Sequence, residues 1–273
     1  MSLFKDLKNY HHYIETHPFY SDLGISVSKT QALDSKVVRN VFESVSENEN
    51  PISIEIDDLI RLHFLITSRK VTTVQEFGGG KSTIVIDNAL KYNKANYNDY
   101  VSKNLRRTNL FECHSIDNNK KWIEKTKKSH SFKNVIFHHC PCYVDTFNSR
   151  VCTYYDNLPN ICPDLIYLDG PDQFSPIGNV RGINTNHPNR VPMAADLLAM
   201  EHFLLPGTLI VVDGRTANAR FLKTNFQRNW EYTHIEDYDQ HFFELKEAPL
   251  GKFNLKQIKF CLGQKWIDSL KTI

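Results

Sequence analysis

The stretch Val74-Gln75-Glu76-Phe77-Gly78-Gly79-Gly80-Lys81-Ser82 decides how the rest of the chain is read. A short strand-like run containing an acid is followed by three glycines and then by a helix start. Consecutive glycines permit positive φ and let main chain approach a ligand closely, and the helix N-terminus beyond them offers unpaired N–H groups. A nucleotide-like ligand is the implication. Outward from this turn, short apolar runs ending in Gly, Asp or Pro alternate with helical stretches, the pattern of a parallel sheet with crossover helices. It predicts strands at Thr73–Phe77, Leu110–Ile116, Val135–His138, Leu165–Leu168 and Thr208–Val212. Helices are expected to start near Ser82, Asn118 and Met193, with another over Ala217–Arg228. In the tail, Tyr232–Ile235, His241–Leu245 and Gln257–Cys261 read as strands, the last two separated by a short gap around Pro249 and Gly251 and forming an antiparallel pair. Ahead of the turn, spacings of three and four predict helices over Leu3–Ile14 and Gln31–Val45, and Asp57-Asp58 cap a helix leading into the first strand.

The 273 residues, 41% hydrophobic, suffice for one large α/β domain with a sizeable core. Thirty-three Lys and Arg against 31 Asp and Glu leave a net charge of +2, too small for nonspecific nucleic-acid binding, so a small molecule is the expected partner. Met1–Tyr20 is polar and His-rich without an apolar h-region, and runs such as Leu209–Val212 fall far short of the roughly 20 residues of a membrane span. With six cysteines lacking the spacing of a secreted framework, the expectation is an unexported cytoplasmic protein with reduced thiols and no membrane partner. The oligomeric state is left open.

Spacing separates three readings of the glycine turn. A Walker A loop needs G-x-x-x-x-G-K-[ST]; Gly80-Lys81-Ser82 supplies its second half, and Leu165–Asp169 would pass as its partner strand, but Gln75 stands where the first glycine belongs. A dinucleotide fingerprint would place its third glycine at Thr83. What remains is E-x-G-x-G-x-S, with Glu76, Gly78, Gly80 and Ser82. This resembles motif I of the class I S-adenosylmethionine-dependent methyltransferases, and the resemblance extends in order along Val71–Cys261, closest to bacterial small-molecule and sugar O-methyltransferases. It implies a Rossmann-like α/β sandwich with a seven-stranded, mostly parallel sheet whose last strand is antiparallel. That catalytic domain would span residues 51–273, behind an N-terminal helical segment over residues 1–50.

The resemblance assigns cofactor binding to Glu76, Gly78, Gly79, Gly80 and Ser82, and to an acid at the end of the second strand that takes both ribose hydroxyls. A carboxylate suits a vicinal diol because it accepts two hydrogen bonds. Asp117 fills that place, with Glu112, five residues earlier within the strand, as its rival. Asp117 lies 37 residues after Gly80, against the roughly 20 of a minimal dinucleotide unit, and the excess reads as an insertion between Lys91 and Thr108. Asp169 ends the fourth strand, beside the transferring methyl group in the family, and Asp213 ends the fifth, so the two are expected to converge. Catechol-type O-methyltransferases hold a divalent cation at these positions with an Asp-Asn pair ending the fifth strand; here Gly214 replaces the Asn. Two carboxylates and water can still hold Mg²⁺. Asp169 therefore enters as cofactor contact, catalytic group and, with Asp213, metal ligand.

The loop from Gly170 to Pro192 is long for a βα connection and reads as a substrate lid that presents donors rather than apolar side chains, with Gly178 and Gly182 as hinges. His187 is its candidate general base, Arg181 and Arg190 its candidate acceptor contacts, and Arg215 after the fifth strand a further one. The polar, Asn/Arg-rich lid and the sugar-methyltransferase resemblance suggest a sugar or sugar nucleotide as acceptor. His138-His139-Cys140-Pro141-Cys142 has poor spacing for zinc and reads as a strand end with half-buried thiols. Two other classes stay open: a P-loop phosphotransferase using Gly80-Lys81-Ser82 and Asp169, and a catalytically silent binding module.

Overall fold

Among the described residues nine strands run in chain order: β1 Thr73–Phe77, β2 Glu112–Asp117, β3 Val135–His139, β4 Cys142–Phe147, β5 Arg150–Tyr155, β6 Leu165–Leu168, β7 Leu209–Asp213, β8 Trp230–Ile235 and β9 Gln240–Leu245. The computed structural model describes residues 3–7, 10–23 and 56–270. Seven strands form one sheet in the order β3-β2-β1-β6-β7-β9-β8, and β4 and β5 form a separate pair. β3, β2, β1, β6 and β7 pair in parallel, while β9 runs antiparallel to both of its neighbours. This is the Rossmann-like sandwich that the resemblance implies.

Every residue of β1 and β6 is buried, as strands covered by helices on both faces must be. On one face α2 (Ile56–Ser68) and α3 (Lys81–Asn104) bring Leu62, Leu65, Ile66, Ile86 and Leu90 against Val74, Cys113, Leu165 and Val211. On the other, Phe77, Ile116, Leu168, Val212 and Phe243 pack with Leu197 and Leu198 of α5 (Asp196–Met200) and Ala219 and Leu222 of α6 (Thr216–Asn225). Near the N-terminus, Leu7, Ile14 of the helix α1 (Tyr10–Thr16) and Phe19 pack on Leu59, Ile60 and Phe64 of α2 and Val85 of α3. The helix expected over Gln31–Val45 lies outside the described residues.

Register aligns the carboxyl ends of four strands. Phe77 is opposite both Ile116 and Leu168, and Leu168 is opposite Val212, so Gly78, Asp117, Asp169 and Asp213 emerge side by side at one edge. The chain runs outward from β1 to β2 and β3, then returns to β6 on the other side of β1. This reversal is the switch point where open α/β sheets bind ligands.

Four expectations are corrected. The residues between Lys91 and Thr108 form no insertion; most of them belong to the 24-residue helix α3. β2 begins at Glu112 rather than Leu110, because Phe111 turns through left-handed backbone at φ 58. Gln257–Cys261 belongs to a helix, α7 (Gly251–Cys261), followed by α8 (Gln264–Ser269), and the antiparallel hairpin is instead β8–β9. The lid is not a free flap. Ile177 exchanges backbone hydrogen bonds with Cys142 and Val144 of β4, and the lid's far end joins Thr153 of β5 through Met193 and Ala195. It also exposes Phe174, Ile177, Ile183 and Val191, so its outer surface is partly apolar.

Candidate functional site

At the switch point two strand ends touch. Gly78, at φ +86, lies so close to the next strand that an added Cβ would stand 2.9 Å from the main chain of Asp169 and Gly170, and a Cβ on Gly170 would stand 2.7 Å from Gly78 N. Gly78 N donates to Ile116 O at 2.8 Å and Asp169 N to Phe77 O at 2.9 Å, so the glycine turn is tied to β2 and β6 at once. Gly79 has Ser115 Oγ 2.8 Å from where its Cβ would be, and Trp122 of α4 (Lys120–Ser129) donates its indole N–H to Gly79 O.

Glu76 is fully buried and turned into the protein. Its two oxygens accept from Ser82 Oγ and Thr83 Oγ1, both at 2.7 Å. Burial pushes its carboxyl up to about 7 against the lowering effect of Ser115, Ser82 and Thr83. Glu76 and Ser82 thus hold each other and brace the first turn of α3 on β1. Gly80 N is closed by Thr83 Oγ1 at 2.9 Å. From the glycine loop only main chain is left to meet a ligand.

Asp117 lies beside that main chain. Its Oδ2 accepts from Gly79 N at 3.2 Å and its Oδ1 from Asn119 N at 2.7 Å. Burial raises its pKa despite both bonds. Each oxygen keeps a lone pair beyond the one bond it receives. Glu112 pairs in register with Thr73 at the opposite end of β2, where it accepts from Asn109 Nδ2, so of the two acids only Asp117 lies at the switch point.

Asp169 and Arg215 form the second half of the site. Arg215 Nε reaches Asp169 Oδ1 at 3.4 Å and Arg215 Nη2 donates to Asp169 O at 2.6 Å. The Asp169 side chain keeps 53% of its surface open to solvent. Desolvation within the cleft pushes its carboxyl up to about 6, opposed by Arg215 and assisted by Asp213 and Asp117. Arg215 Nη1 is buried without a partner, as is the hydroxyl of Tyr155, which points at Gly170 from β5.

Asp213 and Asp169 end adjacent strands, but both oxygens of Asp213 already accept hydrogen bonds, one from the Tyr167 hydroxyl and the other from Gln240 Nε2 at 3.0 Å, while Asp169 Oδ1 faces Arg215 Nε at 3.4 Å. A divalent oxygen-seeking ion needs several free carboxylate and carbonyl oxygens. The Asp169–Asp213 pair, with Gly214 between its strand and Arg215, does not fit Mg²⁺.

The lid residues stand apart from this centre. His187 Nδ1 accepts from Asn189 N at 3.1 Å, Arg190 Nη1 donates to Asn184 O at 3.0 Å, and Arg181 occupies left-handed backbone at φ 53. Among the described residues no hydrogen bond or ion pair joins Arg181, His187 or Arg190 to Asp117, Asp169 or the glycine turn. Cys140, Cys142 and Cys152 are free, buried thiols under the β4–β5 pair, raised by burial. Trp122 and Tyr155 are site residues that no spacing announced, since each reaches the turn from an element not adjacent to it in sequence.

No helix of the described residues is long and apolar enough to cross a membrane. No protein-family model and no curated protein sequence matches the chain. Among solved structures it is similar to the O-methyltransferase TomG of Streptomyces achromogenes, involved in tomaymycin synthesis and determined in complex with SAM, at 12% identity over 87% of this chain and 98% of that one, with a TM-score of 0.37. A Staphylococcus aureus structure assigned as a caffeoyl-CoA O-methyltransferase is similar at 12% identity over 86% and 99%, also with a TM-score of 0.37. Likeness of that degree carries no argument. By its strand order, and by the glycine turn and acid at its switch point, the chain resembles the class I methyltransferases in fold.

Proposed function

We propose that the chain transfers a methyl group from S-adenosylmethionine to an oxygen of a small polar acceptor, a sugar or sugar nucleotide being the favoured class. The observation that carries this reading is the Gly78–Gly80 turn lying against Asp117 at the switch point, where only glycine allows the main chain to approach β6 and Ser115 so closely. The three glycine N–H groups are taken up within the protein, by Ile116 O, Asp117 Oδ2 and Thr83 Oγ1, so the turn would meet the cofactor's amino-acid portion through main-chain carbonyls, and the remaining lone pairs of Asp117 would take its ribose hydroxyls. When bound, the sulfonium supplies an already activated methyl group. The chain's own work is then to orient the acceptor and take its proton. Asp169 is placed for the second task, being half-exposed, held by Arg215, and raised toward the operating range while still ionised at neutral pH. Arg215 offers its unpartnered Nη1 to an anionic or carbonyl group on the acceptor. Arg181, Arg190 and His187 would contribute from the lid.

A P-loop reading is weakened by Ser82, whose hydroxyl is committed to buried Glu76 and so is not free for a phosphate-bound ion. Titration calorimetry with S-adenosylhomocysteine and, separately, with ATP and Mg²⁺ tests the proposal. Binding of the first is expected, and Asp117→Ala should weaken it by about 1–3 kcal/mol. Asp117→Asn, which can still accept from Gly79 N, should weaken it less. Binding of ATP alone would overturn the reading, and unchanged affinity in Asp117→Ala would remove the role of this acid. A silent module would bind S-adenosylhomocysteine yet turn over no hydroxylated acceptor.

A further inference from the structure

The β8–β9 hairpin assembles His234, Asp239 and His241, each offering one ligand atom, with the three atoms within 4.8 Å of one another. Register creates the cluster. His234 stands directly opposite His241 in the antiparallel ladder, and their rings stack at 4.0 Å. Asp239, in left-handed backbone at φ 47, closes the turn and brings Oδ1 to 4.0 Å from His241 Nε2.

The donors are available. His234 Nε2 is buried with no hydrogen-bond partner. His241 is fully buried, with Nδ1 at 2.9 Å from the Tyr232 hydroxyl. When Nδ1–H donates to that hydroxyl, the lone pair is on Nε2, on the side of Asp239, and the bond to Tyr232 fixes the orientation of the ring. Asp239 is 55% exposed, which leaves an entry from solvent and room for water as a further ligand. Two imidazoles and one carboxylate suit a borderline first-row ion and not Mg²⁺ or Ca²⁺, which take oxygen donors.

We infer that His234, Asp239 and His241 bind a divalent transition-metal ion of the zinc type, which fastens the β8–β9 hairpin to the turn ahead of α6. The link to that turn is already built: Thr216 Oγ1 donates to Asp239 Oδ1 at 2.8 Å and Gly214 N to Asp239 O at 3.0 Å. Thr216 Oγ1 also lies 3.0 Å from His241 Nε2. With an ion on that nitrogen, the hydroxyl proton serves the carboxylate alone and steadies it from the outer shell. Arg215, between Gly214 and Thr216, is the residue that grips Asp169, so the ion steadies the candidate site from outside it. The inference does not depend on the methyl-transfer reading.

The test is titration of the full chain, stripped by chelator and dialysed, with Co²⁺ followed by displacement with Zn²⁺. The visible absorption of the bound Co²⁺ and the thermal midpoint are read together. One Co²⁺ per chain is expected, without a thiolate charge-transfer band, and Zn²⁺ should raise the midpoint. His234→Ala and Asp239→Asn should each weaken Zn²⁺ binding by on the order of tenfold or more. Asn tolerates left-handed backbone and keeps an acceptor for Thr216, so Asp239→Asn folds and still lacks the charged ligand. Absence of saturable binding, a thiolate band, or equal affinity in wild type and both variants would overturn the inference.

Discussion

Replacing Gly78 by Ala probes the contact on which the site is built. Two costs follow from its geometry. At φ +86 an L-residue is strained by about 1–2 kcal/mol, and the new methyl would lie 2.9 Å from the main chain of both Asp169 and Gly170. Because those atoms are backbone, β1 and β6 must part, an overpacking penalty of about 1–3 kcal/mol. The lost freedom of the unfolded chain returns about 0.4–1 kcal/mol, leaving a net loss of about 1–5 kcal/mol. At about 2–4 °C for each kcal/mol, the thermal midpoint should fall by several degrees. Gly214→Ala separates the two costs, since Gly214 is also left-handed, at φ +59, but its Cβ would meet nothing within 4 Å. That variant carries strain alone and should lose no more than about 1–2 kcal/mol. Differential scanning calorimetry of both variants decides the matter. Equal midpoints would refute the argument, because they would mean that the β1–β6 approach imposes no steric cost.

Glu76→Gln should change the pH dependence of stability. The carboxyl is raised from 4.5 to about 7, so native Glu76 binds a proton where the unfolded chain has lost it; its contribution is complete below pH 4.5 and is lost as pH rises through about 7. Urea unfolding at intervals from pH 4.5 to 8 should show the wild type losing stability relative to Glu76→Gln across that window, and a constant difference would remove the buried-acid assignment. Two tyrosines should respond oppositely. Tyr155→Phe deletes a buried hydroxyl that has no partner and should be neutral or stabilising, whereas Tyr167→Phe deletes the donor to Asp213 and should cost about 1–3 kcal/mol. Chemical denaturation of both variants checks the sign, and a destabilised Tyr155→Phe would mean that its hydroxyl is bonded after all.

The sheet was legible where burial on both faces writes a continuous apolar run. Leu165–Leu168 matches β6 from end to end, and the positions of Gly78, Asp117, Asp169 and Asp213 at one edge follow from the parallel order. That same two-sided burial hides direction. In a strand buried throughout, the period of two does not say which way Glu76 points, and it points to Ser82 and Thr83. The β4–β5 pair escaped notice because Asn148-Ser149 makes its turn, both residues left-handed at φ 48 and 62, without the glycine that signals such a hairpin. Gln257–Cys261 alternates like a strand within five residues. Over a longer window Asn254 and Ile258, both buried, show the spacing of four that belongs to α7. The hydrogen bonds from Tyr167 and Gln240 to the two oxygens of Asp213, and the pairing of Asp169 with Arg215, depend on side-chain direction, and no sequence pattern carries that.

The attachment of the lid to β4 and β5 limits how this chain can be altered. The lid and the β4–β5 pair, residues 142–155 and 170–195, form one layer whose outer side, with Ile177, Ile183 and Val191, faces solvent. Its inner side, with Cys142, Cys152 and Tyr155, belongs to the same packed cluster as Phe77 and Leu168. Substitutions on the outer side leave the interior untouched. Any change of size at the inner positions is transmitted to Gly170 and the glycine turn, since the Tyr155 hydroxyl stands 2.6 Å from where a Cβ on Gly170 would lie. Transplanting a lid from another protein therefore means transplanting its underside and part of the core along with it.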